Sequence, residues 1–284
     1  MSWRLRVVHS TGFAYQSPVT SSFNEARLTP RSDTRQNVIV NRVETVPATR
    51  AYRYTDYWGT AVTAFDLHAP HEELEVSGMS VVETEAGERP SSEKAATWEE
   101  LQSEYVADRY DEMLSFTTYV PKNGRLGTTA RRIAKGLDPE EAVEAICKFV
   151  HEEMEYVPGT TGVHSTAVDA WNERKGVCQD YAHVSLSMLR SLGVPARYVS
   201  GYLHPKPDAK IDKTVEGQSH AWIEVWTGGW WGYDPTNDTP ITEQHVSVGV
   251  GRDYADVSPL KGIYTGGGAT DLDVIVEITP SLAG

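Results

Sequence analysis

The sequence is short of cysteine, of long apolar runs and of positive charge, and each shortage excludes a class of protein. Only two cysteines, Cys147 and Cys178, occur among the 284 residues. That number excludes a disulfide scaffold and a zinc site built mainly from thiolates. No apolar run approaches the ~18 residues that a membrane helix needs. The net charge of -14 argues against affinity for the phosphates of DNA or RNA. We therefore expect no membrane and no nucleic acid among the partners.

The rest of the composition is ordinary for a soluble globular protein, with 39% apolar and 23% charged residues. The first six residues lack the apolar stretch of a secretory signal. We therefore expect a cytoplasmic protein whose thiols stay reduced. Each cysteine then either packs in the core or reacts.

The length allows about two domains at ~150 residues per domain. Residues 3–85 contain β-branched runs, such as 37–46, that glycine or proline interrupts about every ten residues, which is typical of a small antiparallel sandwich. A polar stretch and helical patterns follow. We predict an α+β protein with three parts: an amino-terminal β domain over residues 1–88, a linker and helical connector over 89–137, and a core over 138–284.

Cys147 lies on a strongly signalled helix. Asp138 can cap this helix and Glu141 follows three residues later, as in a capping box. Apolar residues from Val143 to Val150 recur at helical spacing, and Cys147 is one of them. A free cysteine in such a stripe behaves as a small apolar residue. We predict that Cys147 is buried and inert.

Cys178 has a different setting. It follows Gly176 and Val177 and begins a helical pattern that stops at Gly193. In the first turn of a helix, the unpaired N–H groups and the helix dipole favour an anion, and the thiolate is the nucleophilic form of cysteine. This segment alone fits a reactive thiol or a cysteine that simply packs at a helix start.

A histidine and an aspartate follow on a predicted hairpin. Residues 219–226 alternate as a strand that carries His220, two glycines make a turn, and residues 230–233 return towards Asp234. A thiolate nucleophile needs an imidazole base, and the imidazole needs an acceptor that fixes its tautomer. Cys178, His220 and Asp234 supply these groups in order, 42 and 14 residues apart.

The length of the hairpin loop tests this assignment. A two-residue turn at Gly228 and Gly229 places Asp234 opposite Ile223, on the face away from His220. A three-residue loop places Asp234 on the same face as His220. We therefore predict an odd loop or a bulge.

Several segments together resemble the transglutaminase-like cysteine enzymes: GVCQDYA at 176–182, GVPARYVSGY at 193–202, SHAW at 219–222 and DPT at 234–236. Residues 15–31 and 249–262 resemble the bacterial, two-part members. The resemblance implies a papain-like core with a Cys-His-Asp triad. In that triad Cys178 is the nucleophile, His220 the base and then the acid, and Asp234 the group that orients the imidazole.

The resemblance also implies a reaction: acyl transfer from an amide through a thioester, on a peptide or protein substrate, with no cofactor. The acceptor is water in a cysteine protease or amidase and an amine in a transglutaminase. We favour hydrolysis, because water needs no second binding site. A non-catalytic binding module on the same fold is the third alternative. Residues 151–284 hold 9 basic and 18 acidic side chains. This charge either keeps the protein soluble or forms a field that attracts cationic substrates and repels anionic ones.

Two donors are needed to stabilise the oxyanion. The backbone N–H of Cys178 is one candidate. Related enzymes supply the second from a side chain upstream of the nucleophile, and Tyr156 is our candidate; the alternative is an aromatic residue that packs at a helix end. The histidines at 68, 71 and 151 lack a full set of metal ligands nearby in sequence, so we expect no metal site.

Overall fold

The computed structural model describes residues 2–206 and 210–281, with backbone only at 270–272. Antiparallel strands dominate both ends of the chain, and helices fill its middle. Two antiparallel sheets form the amino-terminal layers and a third lies in the core. The predicted α+β class with an amino-terminal β domain is confirmed.

The first six strands form a regular antiparallel region. They are β1 (Trp3–Val19), β2 (Ser21–Ala26), β3 (Gln36–Val46), β4 (Ala51–Thr55), β5 (Ala61–Leu67) and β6 (His71–Thr84). Buried residues alternate along β6, where Leu74, Val76 and Val82 face the interior. This period of two is what the sequence pattern predicted for a half-buried strand.

Eight helices follow in the described chain: α1 (Trp98–Leu101), α2 (Glu104–Arg109), α3 (Asp111–Leu114), α4 (Gly124–Ile133), α5 (Pro139–Glu153), α6 (Ala167–Glu173), α7 (Cys178–Arg190) and α8 (Tyr254–Val257). The capping box at the start of α5 is present, since Asp138 Oδ1 accepts from the Glu141 N–H at 2.8 Å. Cys147 on α5 is fully buried, as predicted. None of the helices in the described ranges is long and apolar enough to cross a membrane.

The remaining strands are β7 (Glu155–Tyr156), β8 (Lys175–Gly176), β9 (Ala196–Leu203), β10 (Val215–Glu216), β11 (Gln218–Trp226), β12 (Trp230–Asp234), β13 (Thr239–Pro240), β14 (His245–Gly251), β15 (Leu260–Thr265) and β16 (Ala269–Ser281). The core sheet has the order β13-β12-β11-β9-β14. Helix α7 packs against β11 through buried apolar residues, among them Leu186, Ile223 and Val225.

The last two strands return to the amino-terminal sheets. Strand β15 pairs with β2, and β16 pairs with β1 along nearly its whole length, from Arg4 opposite Ser281 to Tyr15 opposite Ala269. The sequence-based division placed these residues in the core, whereas in the structure they complete the amino-terminal layers. The pairing covers β1, which would otherwise be an open edge. A partner more than 250 positions away leaves no local signal.

The amino-terminal layers and the core share apolar contacts. Leu5 and Val7 of β1 and Ile278 of β16 pack with Tyr202 of β9 and Val246 of β14 in one buried cluster. Burial of apolar surface stabilises the folded state by ~25 cal/mol per Å². Moving β1 away from the core sheet would expose this cluster to water, so the cluster holds β1 beside the core sheet. The amino-terminal sheets therefore pack directly against the core.

The hairpin between β11 and β12 has the predicted odd loop. Trp226 pairs with Trp230, which leaves the three residues Thr227, Gly228 and Gly229 in the loop. Gly228 has a φ of 101°, in the region that favours glycine. A Cβ there would also overlap the backbone carbonyl of Lys94.

We predict that Gly228→Ala destabilises the protein by ~1–3 kcal/mol, because a side chain meets both an unfavourable φ and a fixed carbonyl. Gly229→Ala is the matched control, since its Cβ would make only an ordinary 3.4 Å contact with Pro90. Urea unfolding of both variants measures the difference. Equal stability of the two variants would contradict the assigned loop geometry.

Candidate active site

Cys178 is the first residue of α7, and its side chain is partly exposed. The turn before it is held by Asp180, whose Oδ2 accepts from the Val177 N–H at 2.8 Å and from Thr161 Oγ1 at 2.6 Å. Gly176 leaves room for this carboxylate, which a Cβ at that position would overlap. Asp180 thus fixes the helix start and, with it, the position of the thiol.

His220 on β11 joins the thiol to Asp234. Its Nε2 lies 2.7 Å from Asp234 Oδ2, and its side chain lines the same cavity as the side chain of Cys178. Because Nε2 faces the carboxylate, Nδ1 is the nitrogen left for the thiol. The structure therefore brings together, at one cavity, the three residues that the sequence pattern selected.

The charges in this chain support one another. Burial lowers the pKa of His220, but the charge and hydrogen bond of Asp234, helped by Cys178, outweigh it and raise that pKa to about 10. Burial raises the pKa of Asp234, but the two histidines beside it hold that pKa well below its ordinary value. The His220–Asp234 pair is therefore an imidazolium and a carboxylate.

The Asp234 carboxylate is fully buried and accepts five hydrogen bonds. His220 Nε2 and Asn237 Nδ2 donate to Oδ2 at 2.7 Å each. The N–H groups of Thr236 and Asn237 donate to Oδ1 at 2.9 and 3.2 Å. The fifth donor is His245 Nε2, 3.3 Å from Oδ2. A buried carboxylate with this many donors stays ionised.

His245 is the site residue that the sequence pattern did not reveal. It lies at the start of β14, and its Nδ1 accepts from the Thr242 N–H at 3.2 Å. The proton of the neutral ring is therefore on Nε2, which donates it to Asp234. Burial lowers the pKa of His245, which keeps the ring neutral. The contact of Asn237 with Asp234 could have been inferred from the sequence, because Asn237 follows Asp234 by three positions in a turn. No neighbouring residue indicates the contact of His245.

Tyr156, the predicted oxyanion donor, lies near the nucleophile. It sits on β7, opposite Gly176 of β8, and is 46% exposed. Burial raises the pKa of its phenol, and the charge of Cys178 raises it further. Whether this hydroxyl binds an oxyanion stays a prediction.

One cluster of candidate metal ligands exists among the described residues: the ring nitrogens of His220 and His245 with an Asp234 oxygen, all within 4.8 Å of one another. Each Nε2 in this cluster donates its proton to the carboxylate, so neither presents a lone pair to a cation. The arrangement fits an orienting network better than a ligand set.

A thiol at a helix start, packed against a histidine-bearing strand of an antiparallel sheet, defines a papain-like α+β protein. The pattern described as the transglutaminase-like superfamily matches residues 127–235, and that of the bacterial transglutaminase-like N-terminal region matches residues 5–83. The chain belongs to the transglutaminase-like superfamily, in its bacterial two-part form. The resemblance inferred from the motifs is confirmed.

Relatives extend over the whole chain. An uncharacterized protein of Mycobacterium leprae is 66% identical over 277 residues, 98% of this chain and 99% of that protein. An uncharacterized protein of Mycobacterium tuberculosis is 30% identical over 311 residues, 98% of this chain and 93% of that one. A Pseudomonas aeruginosa protein named protein-glutamine gamma-glutamyltransferase is 34% identical over 107 residues, 34% of this chain and 16% of that protein.

A crystal structure from Cytophaga hutchinsonii, of a protein proposed to be a cysteine protease, has the same fold. The TM-score is 0.76, with 97% of this chain and 90% of that chain covered, at 20% identity. At that identity, the likeness concerns the fold alone.

The raised pKa of His220 predicts how stability depends on pH. The His220–Asp234 pair makes its full contribution to the free energy of unfolding at pH values below 6.5, the pKa of histidine in the unfolded chain. That contribution is lost as the pH rises through about 10, the pKa of His220 in the folded protein. The difference in unfolding free energy between the wild type and Asp234→Asn should therefore narrow over that interval, as urea unfolding at several pH values would show.

Asp256→Asn is the control for this experiment. Asp256 pairs with Arg252, whose Nε lies 3.0 Å from Oδ2, and a guanidinium keeps its charge throughout the interval. The effect of Asp256→Asn should stay constant across the same pH values. A constant effect of Asp234→Asn as well would contradict the ionised pair.

Proposed function

We propose that the protein is a thiol-dependent enzyme that hydrolyses amide bonds in peptides or proteins through a thioester. The observation that carries the proposal is that Cys178 and His220 line one cavity and that His220 is hydrogen bonded to the buried Asp234. In the first step, the Cys178 thiolate attacks the carbonyl carbon, and the His220 imidazolium gives its proton to the departing amine. In the second, His220 takes a proton from water, the hydroxyl attacks the thioester, and the thiolate is restored.

Asp234 orients this reaction rather than exchanging protons in it. A carboxylate held by five hydrogen bonds keeps the imidazole in one tautomer and one orientation. His245, which donates to the same oxygen at 3.3 Å, holds the carboxylate in place and is a positioning residue. We assign the oxyanion site to the backbone N–H of Cys178 and the hydroxyl of Tyr156.

Amine transfer is the second candidate, and the relative named protein-glutamine gamma-glutamyltransferase supports it. Hydrolysis remains our preference, because water needs no second binding site. The cavity at Cys178 has a volume of about 320 Å³, at the lower end of the range for ligand pockets. A binding module without catalysis is disfavoured by the complete chain of three residues.

We also propose that the protein works in the cytoplasm. Both cysteines are free, and a catalytic thiol operates best in a compartment where thiols stay reduced.

Cys178→Ser should lower turnover by at least ~10³-fold, because a serine hydroxyl beside the imidazolium is a far weaker nucleophile. Cys147→Ala is the matched control and should keep full turnover, since that thiol is buried in the core. Mass spectrometry of peptide products, with and without a primary amine, measures both variants and identifies the acceptor.

Two outcomes would overturn parts of this proposal. If an acyl probe labels Cys178 no faster than Cys147 in the folded protein, the proposal of a thiol-dependent enzyme is wrong. If the amine is incorporated into the peptide without cleavage, the acceptor is an amine rather than water, and the protein is an amine transferase rather than a hydrolase.

Tyr156→Phe should lower kcat by ~10²-fold with little change in KM, because an oxyanion donor acts mainly in the transition state. Tyr105→Phe, at an exposed position on α2, should leave both constants unchanged. Steady-state kinetics on one peptide measures the two variants. An unchanged kcat in Tyr156→Phe means that the second donor is another group.

A further inference from the structure

The amino-terminal layers form one wall of the cavity in front of Cys178. The core contributes Cys178 and His220 themselves, with Tyr198 and Tyr254 nearby. Strands β1 and β16 and the start of β15 supply further lining residues. A substrate bound at the thiol therefore contacts both parts of the chain.

The pairing of β1 with β16 determines which side chains reach the cavity. His9, Thr11 and Phe13 alternate along β1 and line it, as does Val274 of β16, which pairs with Thr11. The next residue of β16, Ile275, points to the other face and lines a separate cavity. Val274 and Ile275 are 45% and 49% exposed, so they form a matched pair on the two faces of one strand.

The described lining of this cavity contains no Asp, Glu, Lys or Arg. His9 adds no charge at neutral pH, because burial lowers its pKa to about 4. Its ring is also occupied, with Nε2 2.9 Å from Thr11 Oγ1 and Nδ1 3.0 Å from the Tyr202 hydroxyl. Apart from the reacting groups, the cavity is a neutral site in a protein of net charge -14.

We propose that the wall formed by Phe13, Val274 and Leu260 selects substrates with an uncharged, apolar side chain next to the scissile amide. The proposal rests on the proposed function and specifies its substrate class. A charged side chain entering the cavity would lose water without gaining a partner of opposite charge, which is costly. An apolar side chain gains from the same burial. The acidic surface of the core, which suggested cationic substrates, does not extend into this cavity.

Covalent labelling tests the proposal without a known substrate. Four peptidyl acyloxymethyl ketones that differ only in the residue next to the reactive group, Leu, Phe, Lys or Glu, are reacted with the full chain. The rate of Cys178 modification is divided by its rate with iodoacetamide, which reports the thiol alone. We expect the Leu and Phe probes to react about 10-fold faster or more than the Lys and Glu probes.

Charge substitutions on β16 locate the selectivity. Val274→Asp places a carboxylate in the cavity and should raise the Lys-to-Leu rate ratio about 5-fold, while lowering the Glu-to-Leu ratio. Ile275→Asp makes the same change of charge on the opposite face and should leave both ratios at the wild-type values.

The outcomes separate the two proposals. Equal rates for all four probes in the wild type overturn the proposed selectivity while the enzyme stands. Equal shifts in Val274→Asp and Ile275→Asp show a general charge effect and also overturn it. If iodoacetamide modifies Cys178 but every peptidyl probe reacts no faster than it does with the unfolded chain, the proposed function itself fails.

Discussion

The buried carboxylate of Asp234 is the constraint on which the rest of the site depends. An ionised carboxylate without solvent is destabilising unless donors surround it, and here five hydrogen bonds do so. Those donors come from the strand that carries His220, from the turn after Asp234 and from His245 on β14. The requirement to satisfy one anion therefore links β11, β12 and β14 of the core sheet. The same bonds fix the imidazole that faces Cys178.

This constraint explains the local chain geometry around it. The three-residue loop places Asp234 on the face of β11 where His220 lies, and a loop shorter by one residue would turn the carboxylate to the opposite face. Gly228 permits that loop because it adopts a φ of 101° and has no Cβ to overlap the carbonyl of Lys94. On the other side, Asp180 and Gly176 fix the start of α7. The thiol and the imidazole thus meet because two separate turns are each held by a buried carboxylate.

The sequence pattern predicted those features of the site that depend only on residues close together in the chain. The helix start at Cys178, the alternation around His220 and the parity of the hairpin loop follow from neighbouring residues, and the contrast between buried Cys147 and partly exposed Cys178 follows from helical spacing. His245 and β16 could not be found in this way. Their contacts join residues that are distant in the chain, and a single sequence contains no sign of which strand will pair with β1.

The pairing of β16 with β1 also explains how the amino-terminal sheets contribute to the cavity at Cys178. Because Thr11 and Val274 are partners in the ladder, the strand that closes the amino-terminal sheet also lines the cavity at Cys178. The apolar cluster of Leu5, Val7 and Ile278 with Tyr202 and Val246 holds that wall at a fixed distance from the core sheet. The core supplies Cys178 and His220 to this cavity, and the amino-terminal layers supply Thr11, Phe13 and Val274. The net charge of -14 belongs to the whole chain, whereas the described lining of this cavity contains no Asp, Glu, Lys or Arg.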